Sequence, residues 1–200
     1  CKKEFLNQEP YDQIPLDAII TNENDMQAAV NGTYAQLRDV DLFGRTLPLI
    51  GDLLSDNVFI STTNSNRYIA EFTYAYINTH GNALNTWNDA YNAILRANNV
   101  INSTLPVTAV SSQLRGEALT LRALMYFSLV KLYAKPFTAD PNAEGVPLVL
   151  QFDPTIKPAR AKVSEVYTQI EKDLNDAFGL MTNTAKNSSL ISKFVAKALL

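Results

Sequence analysis

Residues 113–134 read QLRGEALTLRALMYFSLVKLYA. Wound at 100° per residue, the stretch is apolar nearly all round, and only Glu117, Thr120, Ser128 and Lys131 line up as a polar stripe. A helix with so little polar surface needs neighbours over most of it. The spacing therefore predicts a central helix, about Gln113 to Ala134, around which the others pack. Arg122 projects from the side opposite the stripe, so its charge must be ion-paired or carried out to solvent along its aliphatic stem. The longest apolar run, Ala118 to Ala134, contains Arg122 and Lys131 and falls short of the ~20 residues that a helical membrane span requires.

Working outward, Ala83, Leu84, Trp87, Tyr91, Ile94, Leu95, Asn98 and Ile101 share one helical face. Asn98 lies in the middle of it, where an unpartnered amide costs ~1–3 kcal/mol. A structural amide, bonded to backbone or to a neighbouring helix, is preferred there over a ligand contact. Thr21 or Asn22 is placed to cap an earlier helix with Met26, Ala29, Val30, Tyr34 and Leu37 on its apolar side. Residues 39–57 are interrupted by Gly44, Pro48 and Gly51 and read as a loop followed by a short helix ending near Ser55.

On the other side, residues 135–162 carry Pro136, Pro141, Pro147, Pro154, Pro158 and Gly145, which predicts a long ordered connection. Its apolar run GVPLVL, residues 145–150, is a candidate extended segment. A helix is expected from Ser164, as N-cap, to Met181, with Val166, Tyr167, Ile170, Leu174, Ala177, Phe178 and Met181 inward. Glu165, Glu171, Lys172 and Asp173 then form a solvated polar face. A last helix from near Ser192 to Leu200 has no capping residue, so it is expected to continue past Leu200.

The composition is globular: 46% hydrophobic against 18% charged residues, in a chain of 200, is enough to bury a core. A net charge of −3 and a pI near 5.2 remove the long-range attraction to phosphate, so no nucleic-acid partner is expected. Cys1 is the single cysteine, which excludes an internal disulfide and a cysteine zinc cage. It reads either as an arbitrary boundary or as the processed, lipid-bearing end of a lipoprotein, which would tether the chain without spanning a bilayer. Residues 1–20, CKKEFLNQEPYDQIPLDAII, hold two prolines and no helical period; they read as an extended leader that fits a tether, ahead of a helical domain over 21–200.

With His80 as the only histidine and no GxGxxG or GxxxxGK[ST] pattern, no metal or cofactor is expected, and His80 reads as an exposed loop residue. Asp52 and Asp56, four apart, have the spacing that brings two carboxylates together on a helix, but capping and chance explain them better than catalysis. The sequons at Asn31, Asn102 and Asn187 are short enough to arise by accident. What remains is the polar stretch VFISTTNSNRYIAEFTYAYINTHGN, residues 58–82, with amides, hydroxyls, Arg67, Tyr68, Tyr74 and Tyr76, and Tyr91 beyond. A sugar offers an apolar ring face edged by hydroxyls, so its site needs flat aromatics and fixed polar groups. This loop carries both, although tyrosines packed on helices and amides in turns would look the same by residue type.

Several segments, in order, resemble the SusD/RagB family: CKKEFLNQEP, AVNGTYAQL, DLLSDN, WNDAYNAILRANNVI, EALTLRALMYFSLVKLYAKP, GVPLVL, RAKVSEVYTQIEKDL and SKFVAKALL. The resemblance implies a mainly α fold of irregular tetratricopeptide-like helix pairs with long loops, at approximately 83–134 and 163–200, though a strict repeat of about 34 residues is not visible. It also implies lipidation at Cys1, a cell-surface place on the outer membrane of a Bacteroidetes-type cell, and a TonB-dependent SusC-like transporter as partner. The implied function is capture of an oligosaccharide, with no cofactor and no enzymatic step. Family ligand sites vary in their residues, so the resemblance transfers a region, within which Asp56, Asn57, Asn66, Arg67 and Tyr68 are the candidate ligand contacts. Family members are longer, and their C-terminal half contributes to ligand contact, which makes the last helix read as cut. The alternatives are a same-fold binder of peptides or another nutrient, and a helical scaffold that docks the transporter.

Overall fold

The computed structural model describes residues 20–75, 77, 79–153, 155–182 and 189–200. Cys1, the leader over 1–19, Tyr76 and the sequon asparagine Asn187 lie outside the described residues. In chain order the elements are α1 (Glu23–Leu37), α2 (Thr46–Leu54), α3 (Ile69–Phe72), α4 (Gly81–Ile101), α5 (Ala109–Tyr133), β1 (Glu144–Pro147), β2 (Arg160–Lys162), α6 (Val163–Leu180) and α7 (Lys193–Leu199). The fold is mainly α, as expected. No described helix is long and apolar enough to cross a membrane.

The helix ends follow local chemistry. Asn22 caps α1, its side-chain oxygen accepting from the backbone of Asn24 at 2.9 Å and Asp25 at 3.0 Å. Thr108 and Ser111 exchange side-chain-to-backbone bonds at the start of α5, which therefore begins four residues before the expected Gln113. Pro48 sits in the first turn of α2, where no intrahelical N–H is lost, and Gly51 is absorbed inside the same helix. α6 starts at Val163 rather than after a Ser164 cap: the carbonyls of Ala143 and Pro141 take the N–H groups of Val163 and Ser164 at 3.0 and 2.9 Å.

α5 is central. It packs on α1, α4, α6, α7 and β1, and its residues are buried on every side from Gly116 to Ala123. The polar stripe is covered too: Glu117 and Thr120 are buried, Ser128 nearly so, and Lys131 alone stays exposed. Thr120 and Ser128 satisfy their hydroxyls on the carbonyls of Gly116 and Leu124, both at 2.9 Å, and Glu117 accepts from Tyr34 Oη at 2.9 Å and Gln113 Nε2 at 3.0 Å. Trp87 of early α4 meets Tyr133 of late α5, while Arg115 of early α5 reaches the Ser103 carbonyl after α4, so the two helices run antiparallel. Phe127 against Tyr167 and Gln113 against Thr182 fix α6 antiparallel to α5 in the same way. Gly116 allows α6 to end against α5; a Cβ there would collide with the Met181 side chain and lie 3.2 Å from the Ala177 carbonyl oxygen. On α4 the fully covered residues are mostly small, Ala90, Ala93 and Ala97 with Ile94 and Val100. Trp87, Tyr91 and Leu95 of the expected face are only half-buried and Leu84 is exposed, because α4 is packed between α1 and α5 and small side chains permit both approaches.

A polar cluster sits inside this packing. Arg122 Nε and Nη2 donate to the two carboxylate oxygens of Asp173 at 2.7 and 2.6 Å, and Nη1 donates to Asn98 Oδ1 at 2.7 Å. Arg122 is 5% exposed and Asp173 is 0% exposed, so Asp173 belongs to the core and not to the solvated face predicted for α6. The reason is pairing, since a carboxylate tolerates burial when a planar fork meets both its oxygens. Asn98 then turns its amide outward and donates to the carbonyls of Val149 at 2.8 Å and Gln151 at 3.1 Å. Tyr126 Oη donates to the Val149 carbonyl at 2.8 Å and accepts its N–H at 2.7 Å, and Tyr91 Oη donates to the Pro147 carbonyl at 2.8 Å. The extended GVPLVL run is thus satisfied by helix side chains over most of its length, and only β1 pairs, antiparallel, with β2.

Arg122→Leu leaves Asp173 buried without a counter-charge, with the Gln169 amide at 2.7 Å as its remaining side-chain donor, and should lower the unfolding free energy by about 3–5 kcal/mol. The double variant Arg122→Leu/Asp173→Leu should recover much of that loss, as read from urea unfolding midpoints.

Candidate functional site

The described residues between Ser55 and His80 cross one end of the α2, α4 and α5 bundle. Four non-glycine residues there have left-handed backbone: Asp56 (φ 58°), Asn66 (60°), Tyr68 (57°) and Tyr74 (54°). Asp and Asn enter this region readily, whereas each tyrosine costs on the order of 1–2 kcal/mol. Tertiary bonds hold the strained geometry. Arg45 Nε donates to Tyr68 Oη at 2.8 Å, Tyr68 Oη meets Thr46 Oγ1 at 2.9 Å, and Thr46 Oγ1 donates to the Val40 carbonyl at 3.0 Å. Tyr74 Oη donates to the Leu54 carbonyl at 2.7 Å.

Two adjoining clefts result. The larger, about 590 Å³, opens between α2, the 71–82 segment, the start of α4, the end of α5 and β2. Trp87 and Tyr133 line it with their rings 5.0 Å apart, edge to face. The Arg160 guanidinium stands 5.4 Å from the Trp87 ring centroid, held by the Gly145 carbonyl at 2.5 Å and the Tyr133 carbonyl at 3.2 Å; no carboxylate pairs with it among the described residues. Tyr133 Oη donates to the Ala83 carbonyl at 2.6 Å, and burial pushes its pKa up to about 12, which keeps the phenol a donor. The second cleft, about 520 Å³, is lined by Arg45, Asn66, Arg67, Tyr68, Thr73 and neighbours. Glu71, His80 and Asn82 line both clefts.

Of the five residues predicted to contact ligand, Asn66, Arg67 and Tyr68 come together at the second cleft, and Asp56 and Asn57 line neither. Arg67 is exposed, its backbone N–H bonded to Asn64 Oδ1 at 2.7 Å. Tyr68 is 8% exposed with its hydroxyl engaged inside, so it anchors the loop and presents no open ring face. Asn57 turns back on Asp52, donating to its carboxylate at 3.3 Å. His80, expected to be exposed, is half-buried with Nδ1 3.4 Å from Glu71 Oε1. Sequence reasoning missed Glu71, Asn82, Tyr133 and Arg160. Their periods and spacings carry no signal, because they converge from four separate segments.

Asp39, Asp41 and Asp89 bring carboxylate oxygens within 4.8 Å of one another. These are oxygens a hard cation would accept, but such exposed acidic groups are common without one. Burial, and then the charges of Asp39 and Asp41, raise the Asp89 pKa from its ordinary 3.8.

Antiparallel helix pairs around a pinned hairpin, with clefts at one end, define a tetratricopeptide-like α-superhelical protein. The profile of the SusD-like family described as "Starch-binding associating with outer membrane" matches residues 4–200. SusD-like protein P2 of Formosa agariphila is 28% identical over 98% of this chain and 38% of its own length. A crystal structure of a SusD superfamily protein from Bacteroides thetaiotaomicron superposes with a TM-score of 0.78 at 27% identity, over 90% of this chain and 41% of that one. A solved structure described as a laminarin binding SusD-like protein gives 0.67 at 25%, over 89% and 39%. The chain belongs to the SusD-like family. It spans about two fifths of the length of these relatives.

A raised carboxyl pKa means that the folded state binds the proton more readily than the unfolded one, so the ionised Asp89 opposes folding at neutral pH and the cost fades as pH falls toward 3.8. Asp89→Asn should melt above the unsubstituted protein at pH 7, with the gap closing near pH 4; a gap independent of pH would contradict this.

Proposed function

We propose that the protein captures oligosaccharides at the outer face of the outer membrane, tethered by a lipid on Cys1, and works with a TonB-dependent SusC-like transporter. It holds the glycan by stacking and hydrogen bonds and transforms nothing. The observation that carries this reading is the larger cleft, where the Trp87 and Tyr133 rings stand beside the fixed polar groups of Glu71, His80, Asn82 and Arg160. A ring-shaped polyol needs that pairing of flat apolar surface with preset donors and acceptors. Family membership supports it, as does the fold shared with a protein described as laminarin binding. Asn66 and Arg67, on the rim of the second cleft, extend the contact surface, and Tyr68 sets their position from below.

Titration calorimetry with malto- and laminari-oligosaccharides should show saturable binding. Trp87→Ala should weaken it by roughly tenfold, on the scale of an aromatic contact. Arg67→Ala, at an exposed position, should weaken it by a similar factor with no change in melting temperature. Binding of peptides with no response to any glycan would refute the proposal in favour of a different nutrient.

A further inference from the structure

The wall between the two clefts contains an acceptor that the protein leaves unfilled. Glu71, in α3, is 4% exposed. Its Oε1 accepts from Asn82 Nδ2 at 2.7 Å and lies 3.4 Å from His80 Nδ1. Its Oε2 is buried and takes no hydrogen bond from any described residue. Every other buried side-chain nitrogen and oxygen among the described residues has a partner, including those of the Arg122–Asp173–Asn98 cluster. A buried carboxylate oxygen without a donor is among the more costly defects a fold can carry. The residue Glu71 lines both clefts, and Asn82 fixes its carboxylate through Oε1 with His80 beside it. Oε2 itself is closed to solvent in the ligand-free fold, so a ligand reaches it only as the cleft wall shifts.

A carboxylate accepts hydrogen bonds and donates none. The group that completes Oε2 must therefore bring its own hydrogen, as a hydroxyl or amine does and a ring oxygen, ether or second carboxylate does not. We propose that Glu71 Oε2 is a ligand-reading atom of the cleft, a subsite that takes a sugar hydroxyl or amine as donor and orients the bound unit through it. Asn82 and His80 are positioning residues that aim it. This inference rests on the glycan reading above and adds the atom and the direction of the hydrogen bond. It also accounts for the buried position: removed from water, one charge-assisted bond discriminates between a donor and an isosteric acceptor far better than it would on the surface.

The test uses laminaritriose and maltotriose, each with its set of monodeoxyfluoro derivatives, in which one hydroxyl is replaced by a fluorine that cannot donate. The protein and its near-isosteric variant Glu71→Gln are titrated against both sets. In the unsubstituted protein one fluorination position should lose roughly tenfold or more in affinity, and Glu71→Gln should lose a similar factor on the parent sugar. Combined, the two changes should cost little more than either alone, which assigns that hydroxyl to Glu71. Ligand-free Glu71→Gln should melt no lower than the unsubstituted protein, since a purely structural carboxylate would be missed without ligand. Parent-sugar binding in which all fluorination and Glu71→Gln effects simply add overturns this inference and leaves the glycan reading standing. Failure of both parent sugars to bind overturns the glycan reading and this inference with it.

Discussion

The fork between Arg122 and Asp173 is the interaction on which the rest of the molecule depends. Two charges taken out of water are tolerated because both carboxylate oxygens meet guanidinium N–H groups and the third arm of the arginine meets Asn98. That third contact orients the Asn98 amide toward the carbonyls of the 149–151 segment. One cluster therefore locks α4, α5 and α6 together and fixes where the extended segment that follows β1 crosses them. Apolar packing alone would hold the helices together without specifying that register.

The position of the cleft follows from the same geometry. With the extended segment pinned through Pro147 and Val149, β1 presents the Gly145 carbonyl beside the end of α5, and Arg160 of β2 is held there over Trp87. The opposite wall is irregular backbone, kept in left-handed conformations by Tyr68 and Tyr74. Tyrosine is used in two ways in this region. Tyr68 spends its hydroxyl on internal bonds and organises the loop, while Tyr133, bonded to Ala83, leaves part of its ring on the cleft. A rigid helical frame carrying a strained, polar loop is an arrangement suited to recognition, since binding groups need fixed positions and the loop supplies varied chemistry.

The segments with strong helical period were legible in the chain: the apolar circumference of α5 announced a central helix, and Asn22, Thr21 and the alternation around Met26 and Val30 announced α1. A buried, satisfied Asn98 also followed from its place on an apolar face, because such a group cannot be buried alone. For Arg122 the sequence left an ion pair or a reach to solvent, and the fold takes the ion pair. Asp173 did not follow. Between Lys172 and Asp176 it looks like surface charge, and its burial exists only because Arg122 arrives from another helix.

The site divides in the same manner. The amino-acid sequence by itself determined the longer helices, that they are too apolar to stand alone, and that residues 58–82 combine aromatic, amide and hydroxyl groups, because these depend on local period and residue type. The short α3 inside that stretch, read as loop, was not legible. Tertiary structure alone decided that Tyr68 turns inward and that Glu71, Asn82, Trp87, Tyr133 and Arg160 share one cleft. Those five come from α3, from the start of α4 and the end of α5, which antiparallel packing brings to one end of the pair, and from a hairpin placed by side chains far from it. Convergence of this kind is a property of packing angles and of the buried polar cluster, and no spacing along the chain encodes it.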